Sequence, residues 1–330
     1  MAGDIDFVLL WVDGSDKDWH SEKSKYVPNY DADISAMRYR DWDTLLYWFR
    51  GVEKFAPWVR KIHLLTWGHY PKWLNLNHPK LNFVKHSDCI PAKYLPTFNS
   101  NALELNIHRI EGLSDKFVNF NDDMFILREV KETDFFKNGL PCDQAILHNI
   151  APMVPFSYTD FNNIYIINKY FKKREVIKNN LLKWYNIVYG KEGFNNVLLL
   201  PWKNFAGIIS PHLPVPYLKK TFKEVWALEE QKLDEVSQHR FRTKEDVNEW
   251  LFRYWRLMKG EFHPVSRIGK KFGISGDEKH NASIYNAIKK QKHQMICIND
   301  EEENIDFEAE KQKLRKSFEY IFPEKSSFEF

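Results

Sequence analysis

Three stretches that read as strands in this chain end in carboxylates. Asp13 and Asp16 follow the apolar run "IDFVLLWV" (5–12), Asn121-Asp122-Asp123 follow "KFVNF" (116–120), and Asp300 closes "QMICIND" (294–300). A turn needs at most one such residue, so the adjacent pair Asp122-Asp123 asks for a further reason. Clustered carboxylates repel one another unless something positive sits between them. A hard divalent cation, Mg²⁺ or Mn²⁺, takes one or two carboxylates and completes its shell with water and phosphate oxygens. Asp122, Asp123 and Asp300 are the candidate metal ligands on this reading. Asn-Asp-Asp and Asp-Gly-Ser-Asp also make ordinary turns, and only their repetition on three strands points to chemistry.

The elements that must position these acids follow from periodicity. The first run is short, continuous and apolar, as a strand buried inside a parallel sheet is. Residues 41–56 place Leu45, Leu46, Phe49 and Val52 at helical spacing, with Asp41 or Asp43 able to cap and Pro57 to stop. "VRKIHLLTW" (59–67) and "KLNFVKH" (80–86) are the next strands. Asn99 or Ser100 caps a helix through Arg109, with Gly112 as its C-terminal signal. The order strand, helix, strand, strand, helix, strand predicts an α/β fold with a mostly parallel, Rossmann-like or GT-A-like sheet. In such sheets ligands bind outside the carboxyl ends of the strands, where these acids would meet.

Beyond Pro152 helical stretches dominate, around 169–189, 217–236 and 244–258. A first strand ending in an acid and a later strand ending in Asp-Asp is the arrangement of metal-dependent nucleotide-sugar transferases, so the expected organisation is an α/β nucleotide-sugar-binding core over 1–150. Helical additions over 151–330 would contribute a late strand (294–300) that returns to the core, all in one integrated catalytic domain.

Composition excludes several classes. The chain has 330 residues, 43% hydrophobic and 16% aromatic, enough for a sizeable core. A net charge of +3 gives no strong field for nucleic acid, and no nucleic-acid signature is present. Cys89, Cys142 and Cys297 are odd in number and far apart, which argues for a reducing compartment rather than a disulfide framework. The N-terminus lacks a basic n-region, and no apolar run is long enough to span a bilayer, so the expected location is cytoplasmic. The absence of Gly-x-Gly-x-x-Gly and of a Walker loop argues against dinucleotide enzymes and P-loop NTPases. Residues 309–330 mix Lys and Arg with Phe and Tyr. They read either as a peripheral membrane contact or as a helix packed on the body with one solvated face.

Longer motifs carry a resemblance. "IDFVLLWVDGSD", "APWVRKIHLLTWGHYPKWLN", "LPTFNSNALELNIHRIEGLSDKFVNFNDDMF", "SPHLPVPYLKKTF", "RFRTKEDVNEWLFRYW" and "ICIND" occur in the order of the conserved regions of the Stealth family. That family includes bacterial capsular polysaccharide phosphotransferases and the catalytic subunit of the lysosomal-enzyme GlcNAc-1-phosphotransferase. The resemblance spans roughly residues 5–300. It implies transfer of a sugar 1-phosphate from a UDP-sugar to a hydroxyl of a glycan or lipid-linked glycan acceptor, with UMP leaving and a divalent metal required. It implies a site containing Asp6, Trp11, Glu104, Asp122, Asp123, His212, Arg242 and Asp300, with Asp13, Arg38, Asn99 and Ser100 also assigned to substrate binding. Thr44-Leu45-Leu46-Tyr47 stands where the family helix usually carries Glu-Leu-Arg-Tyr, so one charge pair is absent here.

The roles expected of these residues follow from phosphoryl-transfer chemistry, which needs charge neutralisation and in-line positioning. Arg242 offers a planar fork for phosphate oxygens that Lys could not copy; its plainer reading is a surface pair with Glu245 or Asp246. His212 can take the acceptor proton, or be an ordinary loop histidine between Pro211 and Pro214. Glu104, one turn before His108, is a base, an acceptor-binding carboxylate or a surface residue. Trp11 can stack on uracil or sugar, or sit in the core. Asp6, if buried, needs a partner.

Overall fold

The computed structural model describes residues 4–27, 40–151, 157–302 and 305–330. Eleven strands are found among them: β1 (Ile5–Leu10), β2 (Ile62–Thr66), β3 (Leu81–Lys85), β4 (Lys116–Asn121), β5 (Met124–Ile126), β6 (Phe136–Lys137), β7 (Leu140–Asp143), β8 (Val215–Leu218), β9 (His263–Pro264), β10 (Gly269–Ile274) and β11 (Met295–Asp300). The central sheet has the order β3-β2-β1-β4-β8. Its first four strands are mutually parallel, and β8 closes one edge antiparallel to β4. This is a parallel-rich α/β architecture of the GT-A-like kind.

β1 lies at the centre and buries all six of its residues. Its period of two feeds two cores. Val8 and Leu10 face one, under the helices Ser157–Tyr170, Lys219–Leu228 and Trp250–Met258. Phe7, Leu9 and Trp11 face the other, under the helix Leu45–Phe55 and a second sheet. There the Phe7 ring sits 4.7 Å from Phe120 and 5.5 Å from Trp58. Full burial of side chains this size is worth roughly 1.5–3 kcal/mol each.

The second sheet, β10-β11-β5, pairs β11 parallel to β10 and antiparallel to β5. The late strand β11 therefore does not enter the central sheet. Only Asp122 and Asp123 separate β4 from β5, and this tight connection carries the chain from one sheet to the other.

Several elements differ from the sequence reading. The first two residues of the helix expected from 217, Tyr217 and Leu218, belong instead to β8. Pro216 fits in β8 because an edge strand need not donate at every position. Helices Lys219–Leu228 and Glu230–Ser237 then follow. The stretch 169–189 is broken into the end of Ser157–Tyr170, then Lys173–Asn179, Leu181–Trp184 and a 3₁₀ stretch from Ile187. Asp41 does not cap the helix Leu45–Phe55. Its Oδ1 accepts from the Asp43 backbone N–H at 2.8 Å, and the helix begins after Thr44. The tail helix Phe307–Ile321 spends its apolar stripe on the body. Leu314, Phe318 and Ile321 are buried, and Phe318 stacks on Tyr47 at 5.5 Å. The 309–330 segment is thus a packed helix and strap rather than a free membrane-facing tail. No helix among the described residues is long and apolar enough to cross a membrane.

Candidate active site at the carboxyl edge

Because β1, β2 and β4 are parallel, their C-terminal ends bring Trp11–Asp13, Trp67–His69 and Asp122–Asp123 to one edge. Gly68, at φ +134°, supplies the backbone turn that swings His69 back over β1. His69 Nε2 accepts from the Asp13 backbone N–H at 2.8 Å, and its ring meets Trp11 edge-on at 5.2 Å. Burial holds the His69 imidazole below its ordinary pKa, in keeping with an acceptor Nε2. Asp13 Oδ1 accepts from the backbone and hydroxyl of Ser15, while Asp16 caps the following helix.

Asp123 is fixed at the seam between the sheets. Its carbonyl accepts from the Ile298 backbone N–H at 2.9 Å. Its Oδ2 lies 3.6 Å from His212 Nε2 and 3.3 Å from the Cys297 thiol. Its Oδ1 is buried and has no hydrogen-bond partner among the described residues. Burial, Asp123 and Asp41 together push the Asp122 carboxyl up to about 8. Such an excess of negative charge with an orphaned carboxylate oxygen suits a divalent cation. Asp123, His212 and Cys297 each offer a ligand atom within 4.8 Å of the others. The oxygens of Asp122 and Asp123 suit Mg²⁺ or Mn²⁺; the sulfur of Cys297 does not.

His212 is held in the left-handed region, φ +46°, which is uncommon for a residue with a side chain. Its neighbours explain the constraint. Leu213 is buried in the core, and Ser210 Oγ hydrogen-bonds Tyr254 OH at 2.6 Å. The turn that results leaves the half-exposed imidazole facing Asp123.

A second wall of the edge is built around Arg242. Phe98, Trp19 and Phe241 form an aromatic cluster beside Val12 and Trp67. Asn99 is fully buried and caps the helix Ser100–Asn106. Its amide donates to Asp246 Oδ2 at 2.8 Å, and Asn101 donates to the same oxygen at 2.9 Å. Asp246 also engages His239 and Thr243, so the 239–246 loop is tied to the helix start. Arg242 is thereby set with its NH2 donating to Ser100 Oγ at 2.5 Å. Glu104, on the same helix, is buried against Glu249. Burial and then Glu104 raise the Glu249 carboxyl well above its ordinary value, and nearby Arg242 acts against them.

The site residues expected from the sequence thus separate. Asp122, Asp123 and His212 meet at the seam, Trp11 and Asp13 border it, and Ser100, Glu104 and Arg242 form the second wall. Asn99 supports that wall through hydrogen bonds of its own. Asp6 lies at the opposite end of β1. Burial would raise its carboxyl, but His63, Arg60 and the Ser114 N–H outweigh this and hold it low. Its lone pairs are committed to closing the bottom of the sheet. Asp300 does not join Asp123; its Oδ2 pairs with Arg40 NH1 at 2.9 Å. Alternation along β11 turns Asp300 away from the face that Cys297 shares with Asn299, whose Oδ1 accepts from the thiol at 2.8 Å. Arg38 lies outside the described residues.

Asn299, His69 and Glu249 were not singled out in the sequence, and Asp41 and Cys297 were named only as a helix cap and as an unpaired cysteine. The period of two in "MICIND" could have paired Cys297 with Asn299. The others depend on long-range approach.

Comparison with known proteins identifies the family. The Stealth conserved regions 1, 2 and 4 match residues 3–31, 38–143 and 286–330. The chain is 45% identical over 333 residues to a capsular polysaccharide phosphotransferase WcwK of Streptococcus pneumoniae, covering 98% of each chain. It is 40% identical to the exopolysaccharide phosphotransferase cps2G of Lactiplantibacillus plantarum, over 99% of this chain and 96% of that one. It is 39% identical to the receptor polysaccharide phosphotransferase WefC of Streptococcus oralis, over 98% of this chain and 99% of that one. With three conserved regions matched and full-length similarity to such relatives, the chain belongs to the Stealth protein family.

Proposed function

We propose that this phosphotransferase of polysaccharide synthesis moves a sugar 1-phosphate from a UDP-sugar, such as UDP-GlcNAc, to a hydroxyl of a glycan or lipid-linked glycan acceptor. UMP leaves, and the product is a phosphodiester in a capsular or other cell-surface polysaccharide. Access to nucleotide sugars places the reaction in the cytoplasm. The observation that carries the reading is the approach of His212 Nε2 to Asp123 Oδ2, 3.6 Å, at the carboxyl edge of a parallel sheet.

The acceptor oxygen bonds to the β-phosphorus of the donor. The bond from that phosphorus to the bridging oxygen breaks, its electron pair leaves on UMP, and the acceptor proton passes to His212 Nε2. Asp123 faces the imidazole and stabilises the cation that forms. Arg242, steadied by Ser100, presents its fork to non-bridging phosphate oxygens. Trp11 walls the donor side and excludes water. Asp122 and Asp123 would hold Mg²⁺ or Mn²⁺, which would neutralise diphosphate charge.

The test is incubation with a panel of UDP-sugars, an oligosaccharide acceptor and Mg²⁺, with nucleotide products resolved. UMP, with phosphate retained in the acceptor product and activity abolished by EDTA, is expected. UDP as product would replace phosphoryl transfer with ordinary glycosyl transfer, and full activity in EDTA would remove the metal.

A further inference from the structure

Thirteen of the eighteen large apolar side chains exposed among the described residues lie between 158 and 202. Scattered singly, such residues need no explanation; concentrated in one stretch, they mark a contact surface. The stretch is laid flat on the body by a few inward anchors. Trp184, Tyr189, Asn196 and Leu199 are buried. Asn196 is bonded through its side chain to Ala145 O, Trp184 O and Leu147 N. Lys173 Nζ reaches the carbonyls of Leu199 and Trp202. With the anchors turned inward, the outer side carries Leu182 and Ile187, 82% and 97% exposed, beside Leu181, Phe194, Leu198 and Leu200. Trp202 and Tyr165 continue it, at the mouth of an open cleft of about 540 Å³.

Charge says what covers this face. Lys172, Arg174, Lys178, Lys191 and Lys203 are exposed around it, against Glu175 and Glu192. Both acids are paired, Glu192 with Arg267 and Glu175 with Lys172 at 3.4 Å, which leaves Arg174, Lys178, Lys191 and Lys203 as the basic excess. A protein partner's interface would be depleted in lysine. Outward Leu, Ile, Phe, Trp and Tyr ringed by lysine form the composition of a surface that lies in the headgroup layer of an anionic bilayer.

We propose that residues 181–202, flanked by these basic side chains, dock the protein on an anionic lipid surface. The apolar side chains enter the acyl boundary, and the lysines meet the phosphates. The proposal stands on the surface alone and needs no particular donor or acceptor.

Flotation of the full chain with phosphatidylglycerol–phosphatidylcholine vesicles and with phosphatidylcholine vesicles tests it. Binding to the anionic vesicles is expected, weaker on the neutral ones and weaker in high salt. The double variant Leu182→Asp, Ile187→Asp alters two side chains exposed enough to leave folding intact. It should lower vesicle binding about tenfold or more, with an unchanged circular dichroism spectrum. Lys172→Glu with Lys178→Glu should lower binding to anionic vesicles only. No vesicle binding by the wild type, or equal binding by the aspartate variant, would overturn the proposal. So would a concentration-dependent dimer that the aspartate variant dissolves while vesicle binding is absent, which assigns the face to a second copy.

Discussion

Replacing His212 by alanine separates proton transfer from binding. Removal of a general base costs roughly 10²–10⁴-fold in rate. If His212 takes the acceptor proton, the rate of the intact enzyme rises with pH through one ionisation. His212→Ala is expected to lose that limb and that much rate while still binding donor, because Arg242 remains and the seam carboxylates would still hold the cation that neutralises the diphosphate. A pH–rate profile paired with UDP-sugar titration checks this. Lost donor binding with the limb intact would make His212 a phosphate ligand and move the search for the base to Glu104. Arg242→Lys keeps the charge and loses the fork and its bond to Ser100. The expected loss is about 10–100-fold in turnover, the scale of one charge-assisted hydrogen bond. An unchanged circular dichroism spectrum would confirm that the fold is intact, and wild-type turnover would return Arg242 to a supporting role in the loop. Asp122-Asp123 was legible because turn chemistry and strand ends are local. The thiol of Cys297 at 3.3 Å from Asp123 was not, because it arrives from 174 residues away.

At the scale of elements, the helix Trp250–Met258 is held to β7 by charge as well as by packing. Burial would raise the Asp143 carboxyl, but Arg253 and Arg256 outweigh it and hold it low. Asp143→Ala would leave two buried guanidinium groups without their counter-ion. The expected cost is about 3–5 kcal/mol, read as a lower urea midpoint; a shift within experimental error would show that water replaces the carboxylate. This triad was unreadable in the sequence, since Asp143 and Arg253 are 110 residues apart. β1 was readable because the apolar run from Phe7 to Val12 suits a doubly covered strand. β8 was missed because Pro214 and Pro216 suggest a loop, and only its edge position makes them acceptable. Asn99 was recognised as a cap, but its grip on Asp246 was not, because it depends on the return of the 239–246 loop.

For the whole molecule, acid should be destabilising through two buried histidines. Burial pushes His86 down to about 3, and burial with Arg109 does the same to His108. The unfolded chain takes up these protons near pH 6.5, whereas the folded chain refuses them until about 3. No penalty exists above the unfolded value. Below it the unfolded state binds more protons and stability falls with pH, by about 2 kcal/mol per histidine at pH 5. His108→Gln should flatten the change in urea midpoint between pH 7 and pH 5, and an unaltered slope would show that other groups govern it. The seam itself has a consequence for synthesis on the ribosome. Asp123 is oriented by the Ile298 backbone and lies against Cys297, so its geometry waits for a strand translated 174 residues later. A nascent copy that has not yet reached β11 carries Asp122 and Asp123 on a turn with no second sheet behind it, and β5 offers an open edge. On the proposed mechanism, a copy lacking β11 is expected to consume no donor, so the two sheets must meet before the site exists.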